Sequence, residues 1–413
     1  MSIWRPDSLR GFGRDFWVLS FGWFIAALGF AISVPFLAIY FSSQYGLSTS
    51  QIGVFFLVMA VVRAGSQAIG GELSDRFGRY GLIIHSQAVR SISFITLGLA
   101  VGFGLGFWWV AALFSINAIF GSLFMPAMMA MVSDLLPDEK RLHGYAIARS
   151  AGNLGWAVGP AIGGFMATSS YAALFYISAV FSFASMIVFR YYFKPPEITL
   201  NQDRFRYSDL LAVKDDKNLA IHSGLTLMLY LVVAQLIAPF SLYAVGIVGL
   251  PESELGLLFT LNGLFVVLLQ FPVTRLLTRW SFTTQIAAGA LLYFVGYGMV
   301  GYMNSFWPFA VAILVVTIGE VTMSPPGMTL TARLAPEGRL GRYMGIRGFF
   351  ETLGWSMGPM YGGLFLDVFS EQRGIAWLGI SSLALFAAIG YWIFGKVLPR
   401  QFNNRTAVAD KAT

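Results

Sequence analysis

The stretch "GGELSDRFGRYG" (70–81) closes a long, mostly apolar run. It sets Glu72, Asp75, Arg76 and Arg79 among Gly70, Gly71, Gly78 and Gly81. Charges packed this densely mark a place where an apolar segment meets water. The flanking sequence decides what kind of segment that is.

The chain has 413 residues, 57% of them hydrophobic and 11% charged, with a mean hydropathy of +0.69. A soluble domain carries about 25% charged residues, so this composition is that of an integral membrane protein. A spanning helix needs about 20 mostly apolar residues. Twelve stretches qualify, at 16–41, 51–72, 81–102, 107–132, 143–166, 170–192, 218–245, 252–273, 283–303, 307–331, 343–366 and 374–396. Barrel strands would instead give alternating segments of about 10 residues. The expected fold is an all-α membrane protein with twelve transmembrane helices, multi-pass in the cell's inner membrane. No cleavable signal peptide is expected, since residues 1–15 are polar and the first apolar run is too long.

The formal charge of +7 raises the question of nucleic acid. The positions of the charges answer it. With the N-terminus inside, all but five of the 27 Lys and Arg residues fall in inside loops or at inside helix ends. The exceptions are Arg373, in an outside loop, and Arg63, Arg90, Arg149 and Arg347, within helices. Basic charge here is an orientation signal. Both termini are expected in the cytoplasm, and no nucleic-acid partner is expected. The longest hydrophilic stretch opens with Pro195-Pro196 and divides the chain. Expected are a six-helix bundle at 1–193, a cytoplasmic linker at 194–217, a second six-helix bundle at 218–396 and a cytoplasmic tail at 397–413.

The two halves repeat each other. "GLSTSQIGVFF" (46–56) matches "GLPESELGLLF" (249–259) at an offset of 203 residues. "LGWAVGPAIGG" (154–164) matches "LGWSMGPMYGG" (353–363) at an offset of 199. Parallel six-helix repeats are a transporter architecture. The opening stretch returns only as "VTRLLTRWSFT" (273–283), where Thr278 stands in place of Asp75 and Arg279 in place of Arg76.

"GELSDRFGRYG" resembles the signature loop of the major facilitator superfamily, Gly-x-Leu-small-Asp-Arg-x-Gly-Arg-basic, with Tyr80 at the final basic position. Three further stretches resemble its twelve-helix drug:proton antiporter branch. They are "LGFAISVPFLAIY" (28–40), "GWAVGPAIGG" (155–164) and "TIGEVTMSPPG" (317–327). The resemblance implies two pseudo-symmetric six-helix bundles, the major facilitator fold. It also implies that Gly71, Asp75, Arg76, Gly78 and Arg79 form a conformational latch loop, with helix eleven as the neighbour of Asp75. Such antiporters carry an arginine in helix four, within Arg-x-x-Gln-Gly. Here "NAIFG" (117–121) puts Asn117 at that position, so a cationic role must be met elsewhere.

The glycine rows also have a direct physical reading. Gly155, Gly159, Gly163 and Gly164, with Gly354, Gly358, Gly362 and Gly363, give helices five and eleven small faces that let backbones approach. Pro160 and Pro359 each remove a helix hydrogen bond and permit a bend. A tight contact of this kind is expected to seal one side of a cavity, with ordinary helix packing as the alternative.

A charge inside the bilayer is costly and usually faces a partner, a cavity or a pathway. Glu320 lies 11 residues before Thr331, so about 16 Å from the cytoplasmic end of its helix at 1.5 Å per residue. Burial favours the neutral form of a carboxylic acid. Glu320 is therefore the first candidate for proton coupling or for binding a cationic substrate. The alternative is a permanently bonded acid near the kink at Ser324-Pro325-Pro326. Arg347 and Glu351 lie four apart on one face, either as a mutual pair or as a gated one. Arg149 and Asn153 share that spacing on helix five, and the four are expected to converge. Arg63 and Asn117 complete the candidate set, with Arg90 read as structural. Phe36, Tyr40, Phe240 and Tyr243 are candidate cavity aromatics, with core packing as the alternative. Trp108, Trp109, Trp307 and Trp377 read as membrane-interface anchors.

These features lead to an expected function. The protein is expected to be a secondary active transporter working by alternating access. Its activity is proton-coupled efflux of small amphipathic or lipophilic compounds, with a carrier for an organic anion as the alternative. A non-transporting sensor or a membrane enzyme is the alternative class. No Gly-x4-Gly-Lys-Ser/Thr loop is present for ATP. Cysteine is absent, and His85, His143 and His222 show no ligand spacing, so no catalytic residue, metal or cofactor is expected beyond protons as coupling ion. The expected partners are a small-molecule substrate and the lipid bilayer, with the protein a monomer. If the loop at 70–81 is a latch, Asp75→Asn should lower substrate flux by shifting the conformational balance. Thr278→Ala should leave flux near wild type, and equal effects would reduce the motif to an ordinary charged loop.

Overall fold

Gly78 explains how the opening stretch folds. Its φ of 72° lies in the left-handed region, which glycine occupies without steric cost. The helix before it therefore runs on through Phe77, and the next starts at once at Arg79. The stretch expected to be a loop is the last turns of one helix, a single glycine and the first turn of another. The computed structural model describes residues 12–196, 216–336 and 339–404, and excludes the side chains of 67–77, 126, 138–139, 142–143, 146 and 340–341. The expected linker and the outer ends of both termini thus lie largely outside the described residues.

Twelve long helical segments follow one another among the described residues. They are α1 (Arg14–Tyr45), α2 (Thr49–Phe77), α3 (Arg79–Gly102), α4 (Phe107–Leu135), α5 (Asp138–Ala167), α6 (Tyr171–Tyr192), α7 (Lys217–Val233), α8 (Glu252–Leu276), α9 (Phe282–Val300), α10 (Phe306–Leu334), α11 (Leu340–Val368) and α12 (Arg373–Val397). A short α13 (Arg400–Asn403) ends the described chain. Ten of the long segments are apolar enough to cross a membrane, taking α7 through to Ile247. α5 and α11 are as long, at 30 and 29 residues, but their glycines dilute the apolar content.

α7 is broken by Pro239, which has no N–H to donate. Tight turns at Ala234–Leu236 precede it and wide turns at Leu242–Ile247 follow. Gln235 spans the break: its Nε2 donates to Leu231 O at 2.6 Å and to Gly358 O of α11 at 2.8 Å.

The contacts define two compact units. The first comprises the described residues within Met1–Tyr45, Val58–Asn201 and Pro251–Gly263. The second comprises those within Gly46–Leu57, Gln202–Leu250 and Leu264–Thr413. In the first, α1 packs on α5 and α6, and α3 on α4 and α6. In the second, α7 packs on α11 and α12, and α9 on α10 and α12. The same pairing scheme thus occurs twice, six helices apart.

Glycines make this pairing possible. A Cβ at Gly155 would lie 2.7 Å from Leu28 N, and one at Gly159 would lie 2.6 Å from Ala31 Cβ, both on α1. In the second unit, a Cβ at Gly354 would lie 2.7 Å from Leu227 O, and one at Gly358 would lie 2.5 Å from Ala234 Cβ. The last glycine of each row meets a different helix. Gly164 packs against the opening residues of α8 in the first unit, and Gly363 against the opening residues of α2 in the second. Asp367 strengthens the latter contact by accepting from Thr49 N at 3.2 Å and Ser50 N at 2.9 Å. A carboxylate at a helix N-terminus satisfies unpaired N–H groups and complements the helix dipole.

One aromatic anchor is placed differently from expectation. Trp108, Trp109 and Trp307 are exposed, but Trp377 is fully buried. It stacks on Tyr297 at 5.9 Å and meets Tyr243 edge-on at 5.5 Å. Trp377 begins the apolar part of α12, and position near a helix end does not reveal that its face points into the unit.

The glycine contacts give a paired prediction. Gly155→Ala and Gly354→Ala push a methyl group against backbone, and each should lower stability by about 1–3 kcal/mol. Gly65→Ala, where nothing lies within 4 Å, should leave stability unchanged or raise it by up to about 1 kcal/mol. Unfolding of the purified protein in detergent would measure this.

Candidate functional site

The second unit holds a polar network inside its helical bundle. His222 lies near the start of α7 and is 1% exposed. Thr331 Oγ1 of α10 donates to Gly327 O at 3.1 Å and so accepts from His222 Nε2 at 2.9 Å. Tyr391 of α12 places its hydroxyl 2.9 Å from Nδ1. Thr226 donates to His222 O at 2.8 Å and lies 3.1 Å from the Tyr391 hydroxyl. A neutral imidazole carrying its hydrogen on Nε2 donates to Thr331 and accepts from the Tyr391 hydroxyl at Nδ1. A narrow cleft with room for about one water molecule touches His222, Tyr391, Tyr230, Ser324, Gly327 and Arg347.

Charges adjoin this network. Arg347 is buried and pairs with Glu351 one turn on. Gly327 makes room for it: a Cβ there would lie 3.1 Å from an Arg347 terminal nitrogen. The Tyr230 hydroxyl approaches Glu351, and the Glu320 carboxyl acts electrostatically on Tyr230, Tyr293 and Tyr297. Arg347 acts in turn on His222 and Tyr391. Tyr230, Glu351 and Arg347 thus adjoin the His222 and Tyr391 network, and the Glu320 carboxyl acts on Tyr230 through its field.

The first unit is different. Arg90 sits in the middle of α3, 4% exposed, with its guanidinium carbon 5.0 Å over the Phe30 ring and 5.8 Å over Phe94. Asn117 of α4 is fully buried and donates to Ser93 Oγ at 2.8 Å and Arg90 O at 3.4 Å. It joins α3 to α4 rather than lining open space. Arg63, in the middle of α2, is exposed and close enough for its charge to act on Arg90. Arg149 and Asn153 are exposed on α5.

The remaining candidates are placed as follows. Arg347 and Glu351 lie in the second unit, Arg149 and Asn153 in the first. Phe36, Tyr40, Phe240 and Tyr243 are all buried in packing contacts within their own units. Phe240 meets Phe309 at 5.5 Å, and Tyr40 meets Tyr171 at 5.3 Å. Large apolar rings gain more from such contacts than from a wet surface. Arg79 ties the start of α3 to the last turn of α4 through an ion pair with Asp134. The side chains of Gly71, Asp75 and Arg76 lie outside the described residues. Thr278 is exposed, and its hydroxyl donates to Arg275 O of its own turn at 3.0 Å.

Metal-ligand spacing does not single out His222. The available signal was a polar pair one turn apart, His222 and Thr226, at the head of an apolar run. Tyr391 gave no signal among 17 tyrosines.

The Major Facilitator Superfamily model matches residues 19–246 and 223–411. The uncharacterized MFS-type transporter YqjV of Bacillus subtilis (strain 168) is 28% identical over 387 residues, covering 89% of this chain and 92% of the relative. A Na(+), Li(+), K(+)/H(+) antiporter of Planococcus maritimus is 25% identical, over 85% and 89% of the two chains. The quinolone resistance protein NorA of Staphylococcus aureus (strain MSSA476) is 24% identical, over 89% and 94%. Among solved structures, a POT family transporter in complex with 5-aminolevulinic acid superposes with a TM-score of 0.75 at 15% identity, over 92% and 96%. At that identity the likeness concerns the fold alone. The family match spans nearly the whole described chain, and the repeated helix pairing agrees with it: this chain belongs to the Major Facilitator Superfamily of membrane transporters.

Proposed function

We propose that the protein is a secondary transporter that exports small amphipathic or lipophilic compounds in exchange for protons, by alternating access. The observation that carries this reading is the placement of Glu320. Its carboxyl lies midway along α10, half-buried, acting on Tyr230, Tyr293 and Tyr297. A carboxyl group at membrane depth is a default candidate for proton transfer. Glu351 lies beside the same Tyr230.

The names of two relatives support the reading, one for quinolone resistance and one for cation/proton antiport. The coupling ion is the proton, and no other cofactor is invoked. Both termini are cytoplasmic, the membrane is the bacterial inner membrane, and the working unit is a monomer. The latch role of Asp75 belongs to the same reading.

The test is flux in proteoliposomes with an imposed pH gradient, using a lipophilic fluorescent cation and an aromatic carboxylate as probes. Export of at least one probe should rise with the gradient and collapse when an ionophore dissipates it. Glu320→Gln should abolish the gradient dependence, and Glu351→Gln should weaken it. Transport that ignores the gradient and survives both substitutions would end the proton-exchange reading.

A further inference from the structure

The turn of α10 that carries Glu320 lacks part of its own helical bonding. Pro325 and Pro326 lie inside α10, and neither has an N–H to donate to the carbonyl four residues back. The carbonyls left without a helical donor are those of Val321 and Thr322, which follow Glu320 directly. Both residues are buried. A buried carbonyl without a partner is costly, and nearly all such groups in folded proteins are paired.

For Val321 the partner is a side chain of another helix. Gln270 of α8 donates from Nε2 to Val321 O at 3.4 Å and to Thr274 Oγ1 at 3.1 Å. Nε2 carries two hydrogens, so one amide makes both bonds. Thr274 lies one turn further along α8 and holds the amide in this orientation. Gln270 and Val321 both belong to the second unit.

α9 holds the same turn at its backbone. A Cβ on Gly319 would lie 2.8 Å from Gly289 O, and one on Gly289 would lie 2.6 Å from Gly319 O. The two neighbours of Glu320 in the chain are thus fastened to two different helices. Gly319 meets α9 by backbone contact, and Val321 meets α8 through the Gln270 amide. Proton transfer needs its groups within hydrogen-bond reach, so an acid that exchanges protons has to project from a fixed turn.

We propose that Gln270 is a positioning residue for Glu320: its amide stands in for the N–H that Pro325 lacks and fixes the turn from which the Glu320 carboxyl projects. The proposal rests on the transport reading only in taking Glu320 as the working acid.

The chain has no cysteine, so Glu320→Cys places a single thiol on this turn. Its rate of labelling by a small methanethiosulfonate reagent is measured on the full-length protein in lipid nanodiscs. Gln270→Met keeps the length of the side chain and removes the donor. It should raise the labelling rate about threefold or more, within the range one net hydrogen bond supplies. In a Pro325→Ala background the helix has its own N–H for Val321 O. There Gln270→Met should change the rate by less than about 1.5-fold, the mark of two groups that act through one bond. Ser324→Cys, one turn on, is a second reporter should the first not fold, and a melting curve for each variant verifies folding. With Glu320 in place, Gln270→Met should lower gradient-driven export per folded molecule about threefold or more and leave KM within about twofold. A merely structural role would lower the amount of folded protein and not its turnover. An unchanged labelling rate, an equal acceleration in the Pro325→Ala background, or gradient-driven export that Gln270→Met leaves unchanged would each overturn the proposal. Wild-type flux that ignores the gradient, with the labelling results as expected, would remove the proton-exchange reading and leave the Gln270 bracket standing.

Discussion

A charge inside a membrane protein must be neutralised or used, because hydrocarbon offers it no water. The two units meet this constraint in different ways. In the second, Arg347 pairs with Glu351 and adjoins a network of His222, Thr331, Tyr391 and Tyr230. In the first, Arg90 pairs with no carboxylate among the described residues, and aromatic rings take the place of an acid. The second unit thus answers its inner charge with polar partners, and the first answers Arg90 with aromatic faces. A transporter that exchanges protons for an amphipathic compound needs both kinds of chemistry.

Glycine provides the frame that holds these groups. Rows on α5 and α11 let α1 and α7 approach at backbone distance, and the last glycine of each row receives the start of α8 or α2. Side chains on those helices are thereby held at fixed relative heights, as the Arg90, Phe30 and Trp156 contact illustrates. The motif at 70–81 serves the same end. Gly78 turns the chain in one residue, and Arg79 pins the new helix to Asp134 on α4.

Much of this was legible in the sequence. Apolar run length, the one-sided arginines and the repeats at offsets of 199 and 203 residues lead to twelve helices, and the resemblance of 70–81 to a signature loop leads to a family. The Arg347 and Glu351 pair was legible because four residues is one helical turn. Other features were hidden for a physical reason: one-dimensional spacing does not say which way a helix face points once apolar residues surround it. Trp377 and the four aromatics assigned to a cavity are buried on that account. Asn117 was noticed for the arginine it replaces, yet its amide joins α3 to α4. The His222 network draws on α7, α10 and α12, and no local pattern announces it.

The proposed exchange requires that ligand and proton compete through the half-buried Glu320 of the second unit. The most direct measurement is proton release on ligand binding, read by calorimetry of the detergent-purified protein in buffers of different ionisation enthalpy. The account predicts net proton release that is strongest near the pH at which the acid is half protonated, and that disappears in Glu320→Gln while binding persists. Full binding without proton release at any pH, or release unchanged by that substitution, would contradict it.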